Sequence, residues 1–228
     1  MKPNRPITVL LAEDHAIVRQ GLISLLKSDG YFAIVAEAKT GREAVELAIK
    51  LKPDVILMDI AMPVLNGLEA TRQILAANPA ARVIVLSAHS DNEYIERMCA
   101  LGVAGFLEKQ TSAEILTKAI REVAKGNSFF SPTVAKRVQE IQNKPRDRDG
   151  MIRAEGNRLT SRETEVLQLV AEGSANKQVA DTLGISIKTV EKHRQHLMDK
   201  LNIHDTAGLT RYAISSGVIE SRVQMTIS

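Results

Sequence analysis

Short apolar runs alternate with amphipathic segments over the first 126 residues. The runs are Ile7–Ala12, Phe32–Ala38, Asp54–Met58, Arg82–Ser87 and Val103–Leu107. They are continuous and rich in Val, Ile and Leu, as strands covered on both faces should be. Between them, apolar positions recur at helical spacing. In the first such segment Ile17, Val18, Leu22, Leu25 and Leu26 fall on one apolar face, with Gly30 as the stop. Five strand–helix units in succession predict an α/β doubly wound parallel sheet, flavodoxin-like if the five strands lie in the order 2-1-3-4-5. Ligand sites in such sheets lie beyond the carboxyl ends of the strands, where the strand order reverses.

The period changes after Gly126. From Thr160 onward only helical patterns occur, and four helices fit residues 160–220. Ser131–Gln142 suits a short helix packed on either half. Asn143–Asn157 is polar, charged and punctuated by Pro and Gly, which predicts a linker. The expected organisation is an α/β domain over 6–126, a helix and linker over 127–157, and a small all-α domain over 158–222.

Composition narrows the classes. No apolar stretch approaches the ~20 residues of a membrane-spanning helix, and no secretory signal is visible at the N-terminus. Cys99 is the only cysteine, so an internal disulfide is impossible and a reducing, cytoplasmic setting is expected. The net charge of +3 hints at nucleic acid. Yet residues 1–130 carry 15 basic and 15 acidic side chains, and residues 159–228 carry 8 and 8. The excess lies between them, so local placement must identify a DNA-binding surface.

Three acids fall where the sheet would present a site. Glu13 and Asp14 end the first run, and Asp59 follows the third. Adjacent strands one and three would bring these carboxylates together, and such a cluster repels itself unless a cation joins it. Mg²⁺ prefers oxygen ligands and often adds a phosphate oxygen. Ser87 ends the fourth run with a hydroxyl donor, and Lys109 follows the fifth with an ammonium. Each residue alone is ordinary loop chemistry. Acids, a hydroxyl and a cation on four strand ends together suit binding and transfer of a phosphoryl group.

The stretches LLAEDH, VILMDIAMPVLNG, VIVLSA and GVAGFLEK, with their spacing, resemble the receiver domain of two-component response regulators over residues 7–126. The resemblance implies phosphorylation of Asp59 by a sensor histidine kinase. It implies Mg²⁺ held by Glu13 or its bound water, Asp14, Asp59 and the backbone carbonyl of Ala61. It also implies that Ser87 and Lys109 hold the phosphoryl oxygens and that Phe106 couples to Ser87 as a switch. Gln110 stands where many receivers have proline, which argues against a cis peptide there.

In the second half, Thr160 and Glu163 have capping-box spacing. Asn176–Leu183 and Ile187–Leu201 form a helix-turn-helix pattern around Gly184, with small Ala180 allowing a close crossing. At 100° per residue, Ile187, Val190, Leu197 and Leu201 are expected inward. Lys188, Glu191, Lys192, Gln195 and Asp199 are expected outward, where long polar side chains reach base edges. Thr189, Arg194, Asn176, Lys177 and Lys200 are candidates for phosphate contacts.

The stretch LTSRETEVLQLVAEGSANKQVADTLGISIKTVEKHRQHLMDKLNI resembles the LuxR-type helix-turn-helix, and the whole chain resembles a NarL/FixJ-subfamily response regulator. That implies base reading by Glu191, Lys192 and Gln195 and a dimerising last helix near Thr206–Ser216. It also implies double-stranded DNA, a second copy of the chain and RNA polymerase as partners. An aspartyl phosphatase is the rival enzyme reading. Such enzymes commonly place a second acid two residues after the nucleophile, and Ala61 occupies that position, so turnover is not expected. A regulator gated by a ligand or partner protein, without phosphorylation, is the alternative.

Overall fold

Alternate residues of each apolar run face opposite sides of one parallel sheet, and that arrangement organises the first half of the chain. The computed structural model describes residues 5–88, 92–143 and 159–219. It divides into a unit spanning Met1–Lys144 and a second spanning Pro145–Ser228.

The strands of the first unit are β1 (Ile7–Ala12), β2 (Phe32–Ala38), β3 (Val55–Asp59), β4 (Val83–Ser87), β5 (Gly105–Glu108) and β6 (Phe129–Phe130). The helices are α1 (Ala16–Asp29), α2 (Gly41–Leu51), α3 (Gly67–Ala77), α4 (Asn92–Leu101), α5 (Ala113–Ala124) and α6 (Pro132–Asn143). The sheet order is 2-1-3-4-5-6, and every adjacent pair is parallel. The five expected strands hold their expected order, and among the described residues a sixth joins them. Phe129 and Phe130 pair with Gly105 and Phe106 along the otherwise open edge of β5.

Leu10, Ile56, Met58, Val83, Val85 and Phe106 pack on one face with Ala44, Ala48, Ala70, Ile74, Ile95 and Met98. Val134 and Val138 of α6 join that cluster, so this helix packs on the first unit. Val9, Leu11, Val55, Leu57, Ile84 and Leu107 pack on the other face with Ile23 and Leu26 of α1 and Leu116, Ile120 and Val123 of α5. Burial on both faces explains why the runs show no polar alternation.

Several expected bounds shift: Arg82 precedes β4, and Val103 and Ala104 precede β5, which runs on to Glu108. Asp54 lies before β3, where its carboxylate accepts from the Thr8 N–H at 2.9 Å and from the Thr8 hydroxyl at 2.8 Å. The buried face of α1 is Arg19, Ile23 and Leu26, whereas Ile17 is 90% exposed and Val18 is also exposed. Spacing fixes which residues share a face, but docking fixes which face turns inward.

The second unit contains α7 (Ser161–Ala171), α8 (Asn176–Leu183), α9 (Ile187–Leu201) and α10 (Thr206–Ser215). The expected capping box forms. Thr160 Oγ1 accepts from the Glu163 N–H at 3.3 Å, and Glu163 Oε2 accepts from the Thr160 N–H at 2.8 Å. Gly184 ends α8 at φ 63°, the left-handed geometry that lets α9 turn back across it. Val179, Ala180, Val190, Leu197, Leu209 and Ala213 are buried. Ile187, expected inward, is instead 46% exposed, because it begins α9 ahead of the turn that packs. Asn143, the first residue of the expected linker, instead closes α6, and the rest of that linker and the domain end at 220–222 lie outside the described residues.

Candidate functional site

The carboxyl ends of β1, β3, β4 and β5 bring four of the expected side chains to one edge. Glu13 is fully buried at the end of β1, and Asp59 is 1% exposed as the last residue of β3. Register places Ala12 beside Met58 and Asp59 beside Leu86. Lys109 follows β5, and its N–H donates to the Ser87 carbonyl at 2.8 Å, tying it to the end of β4. Ser87 is buried, and Phe106 is fully buried between Val85 and Phe130 in the sheet.

One ammonium serves two buried carboxylates. Lys109 Nζ is 2.9 Å from Glu13 Oε2 and 2.9 Å from Asp59 Oδ2. Burial pushes the Asp59 carboxyl up to about 6, and the Glu13 charge adds to the rise. Lys109 and a hydrogen bond from the Ala61 backbone pull the other way. Although burial works against its charge, the Lys109 ammonium is held above its ordinary value, chiefly by Asp59.

Glu13, Asp14, His15 and Asp59 each offer a ligand atom within 4.8 Å of the others. Hard carboxylate oxygens, with one nearby ammonium against three acids, fit a divalent cation. The described chain has no cis peptide bond, including at Gln110.

Local structure holds these ends in place. Gly67 opens α3, and its N–H donates to the Ile60 carbonyl at 2.8 Å. A Cβ there would lie 1.9 Å from the Asp59 carbonyl oxygen, so only glycine allows the helix to start so close to the phosphoacceptor candidate. Sequence reasoning missed two residues. His15 Nδ1 lies 2.9 Å from Asp14 Oδ1 and 3.2 Å from Glu13 Oε1. Buried Arg19 donates to the Glu13 and Asp14 carbonyls at 2.8 and 3.2 Å. The available signal was a lone arginine among apolar positions of α1.

The other expected surface lies on α9. Lys188, Glu191, Lys192 and Gln195 are exposed, as is Lys177 on α8, and Gln195 also donates to Asp199 at 2.8 Å. Thr189 is half-buried, and its N–H donates to the cap Ser186 Oγ at 3.1 Å. Arg194 donates to Asn176 at 2.7 Å and to Thr206 at 3.3 Å, joining α9 to both neighbouring helices. Lys200 Nζ is 2.7 Å from Glu163 Oε2. Burial raises the Glu163 pKa, but Lys200 and Thr160 outweigh it and hold the carboxyl below its usual value. Asn176, Arg194 and Lys200 therefore have partners inside the unit.

Comparison with known proteins decides the family. Residues 9–121 match the response regulator receiver domain, and residues 157–213 match the bacterial regulatory proteins of the luxR family. The transcriptional regulatory protein DegU of Brevibacillus brevis is 35% identical over 227 residues, covering 95% of this chain and 96% of that protein. The chain is a two-component response regulator.

Response regulator protein VraR of Staphylococcus aureus is 34% identical over 214 residues, covering 94% of this chain and 99% of its own. RcsB of Salmonella enterica serovar Typhimurium, solved on the promoter rprA with the phosphomimetic BeF3-, is 26% identical with a TM-score of 0.54. That match covers 91% of this response regulator and 98% of RcsB. RcsB has also been solved as two dimers bound to two parallel DNAs. This response regulator thus combines a receiver with a LuxR-type DNA-binding domain and acts in transcriptional regulation. Among its described residues no helix is long and apolar enough to cross a membrane.

Proposed function

We propose that Asp59 accepts a phosphoryl group from a sensor histidine kinase and that the modified receiver controls sequence-specific DNA binding. The observation that carries this reading is the single Lys109 ammonium set between Glu13 and Asp59 in a cluster of three acids. Residues 6–126 act as the receiver, with β6 and α6 packed on it, and 158–222 act as the DNA-binding domain, the 127–157 stretch lying between them in sequence. Glu13, Asp14, Asp59 and the Ala61 carbonyl would hold Mg²⁺. When bound, the ion neutralises carboxylate charge and polarises phosphoryl oxygens.

In the transfer, an ionised Asp59 oxygen attacks the phosphorus of a phosphohistidine. The new O–P bond forms as the P–N bond breaks, and the imidazole nitrogen keeps the electron pair. Lys109 steadies one phosphoryl oxygen by charge and the Ser87 hydroxyl donates to another. Phe106, on β5 two residues deeper in the sheet than the level of Ser87, carries the change in Ser87 into the core. Added charge shifts a two-state equilibrium only by its different interaction with the two states. Ala61, whose side chain carries no acid to protonate a leaving group, leaves Asp59 a phosphoacceptor and not a turnover nucleophile.

On DNA, Lys188, Glu191, Lys192 and Gln195 face base edges, and Lys177 and Thr189 meet phosphates. Asn176, Arg194 and Lys200 act first on the architecture of the domain and offer any remaining donors to the backbone. Two copies pair through α10, bind paired half-sites and meet RNA polymerase there, which sets the work in the cytoplasm. Acetyl phosphate with Mg²⁺ tests the reading. Intact mass should show one added phosphoryl group on the wild-type chain and none on Asp59→Asn, with DNA affinity rising only in the first. An Asp59→Asn protein whose DNA binding still responds would sink it.

A further inference from the structure

We propose that Arg19 is a positioning residue for the cation site, aiming the Glu13 and Asp14 carboxylates by clamping their own backbone carbonyls. The inference rests on the cation reading of the acidic cluster given above. Arg19 stands in the first turn of α1, and only 7% of it is exposed. A charge buried this deeply is costly unless every donor is used. Its Nη1 donates to the Glu13 carbonyl at 2.8 Å and to the Asp14 carbonyl at 3.2 Å. Its Nε donates to Glu37 Oε2 on β2 at 3.3 Å.

The choice of acceptors is what gives Arg19 a role beyond packing. The pairing of β1 with β2 runs to Ala12 and Ala38, and the Glu13 N–H still donates to the Ala38 carbonyl at 3.0 Å. Past that point the chain leaves the sheet, and the next two carbonyls are taken by the guanidinium. Fixing two successive peptide planes fixes the directions in which the Glu13 and Asp14 side chains leave the backbone. Lys109, by contrast, sits on carboxylate oxygens. Arg19 therefore brings positive charge beside the cluster without occupying an oxygen that a cation would use. Its Nη1 holds both carbonyls while its Nε is anchored on Glu37, a planar arrangement that the point charge of lysine does not reproduce.

Calorimetric titration of Mg²⁺ into the full chain tests this role. Outer-shell partners of metal ligands typically change affinity by about 10–100-fold. Arg19→Met is expected to weaken Mg²⁺ binding by about tenfold or more, and Arg19→Lys by a smaller but clear factor. With saturating Mg²⁺, the rate of phosphorylation by acetyl phosphate should return close to wild type, because Arg19 touches no reacting atom. Arg121→Met is the structural control, since it removes another paired arginine of the same unit, held by Asp29 at 2.7 Å. It should lower the melting temperature and leave the Mg²⁺ affinity unchanged. Wild-type Mg²⁺ affinity in Arg19→Met would overturn the proposal. If Arg19→Met does not fold, wild-type affinity in Arg19→Lys overturns it equally. A wild-type chain that shows no saturable Mg²⁺ binding would instead overturn the cation reading of the whole cluster, and Arg19 with it.

Discussion

The Lys109 ammonium lies 2.9 Å from Asp59 Oδ2 and makes the same approach to Glu13 Oε2. Removing it leaves two buried carboxylates facing each other without a counter-charge. Lys109→Ala is therefore expected to cost roughly 3 kcal/mol of receiver stability at neutral pH. Urea unfolding should show the loss shrinking near pH 5, where Asp59 escapes it by protonation. An equal loss at both pH values would contradict this account.

The elevated Asp59 pKa sets a second expectation. Its folded value of about 6 lies above the ordinary 3.8. A raised pKa means the folded state holds the proton more tightly than the unfolded chain. Its contribution is therefore complete below about 3.8 and lost as pH rises through about 6. Integrated over that window it amounts to about 3 kcal/mol. In a chelator, this group makes the receiver more stable as pH falls from 7 towards 5. Mg²⁺, which needs the ionised carboxylate, should oppose the trend. Melting curves across pH for wild type and Asp59→Asn check it, and the substituted protein should lose this component of the slope.

Lys200 and Lys192 should separate stability from DNA binding. Lys200→Ala breaks the 2.7 Å pair with Glu163 and is expected to cost about 1–2 kcal/mol in the DNA-binding unit. Its effect on the salt dependence of DNA binding should be small. Lys192→Ala is expected to leave unfolding unchanged but relax sequence preference in a binding titration. The Glu163 pKa is depressed, so its contribution is present above the ordinary 4.5 and is lost as pH falls through the lower folded value.

Gly67→Ala is expected to destabilise the receiver by more than about 3 kcal/mol, because the added carbon meets backbone and not a movable side chain. Asp59 would shift with it, so Mg²⁺ affinity should fall together with the melting temperature. An alanine variant with wild-type values for both would show that the loop after β3 has room to move.

The strand ends and helix starts of this response regulator were legible in the chain because their signals are local. Apolar runs that end in Glu13, Asp14, Asp59, Ser87 and Lys109 announce strands and their carboxyl ends together. Thr160 with Glu163, and Gly184 between two periodic segments, mark helix starts and turns through the backbone geometry they favour. The tertiary structure decided whatever depends on a distant partner. Helical spacing groups residues on a face without telling which face docks, so Ile17 emerged into solvent and Arg19 turned inward under the acids. Two phenylalanines are too short a run to declare a strand, and β6 exists because β5 offered an open edge. Lys200 found Glu163, 37 residues away, by packing of α9 against α7, a relation that no local pattern encodes.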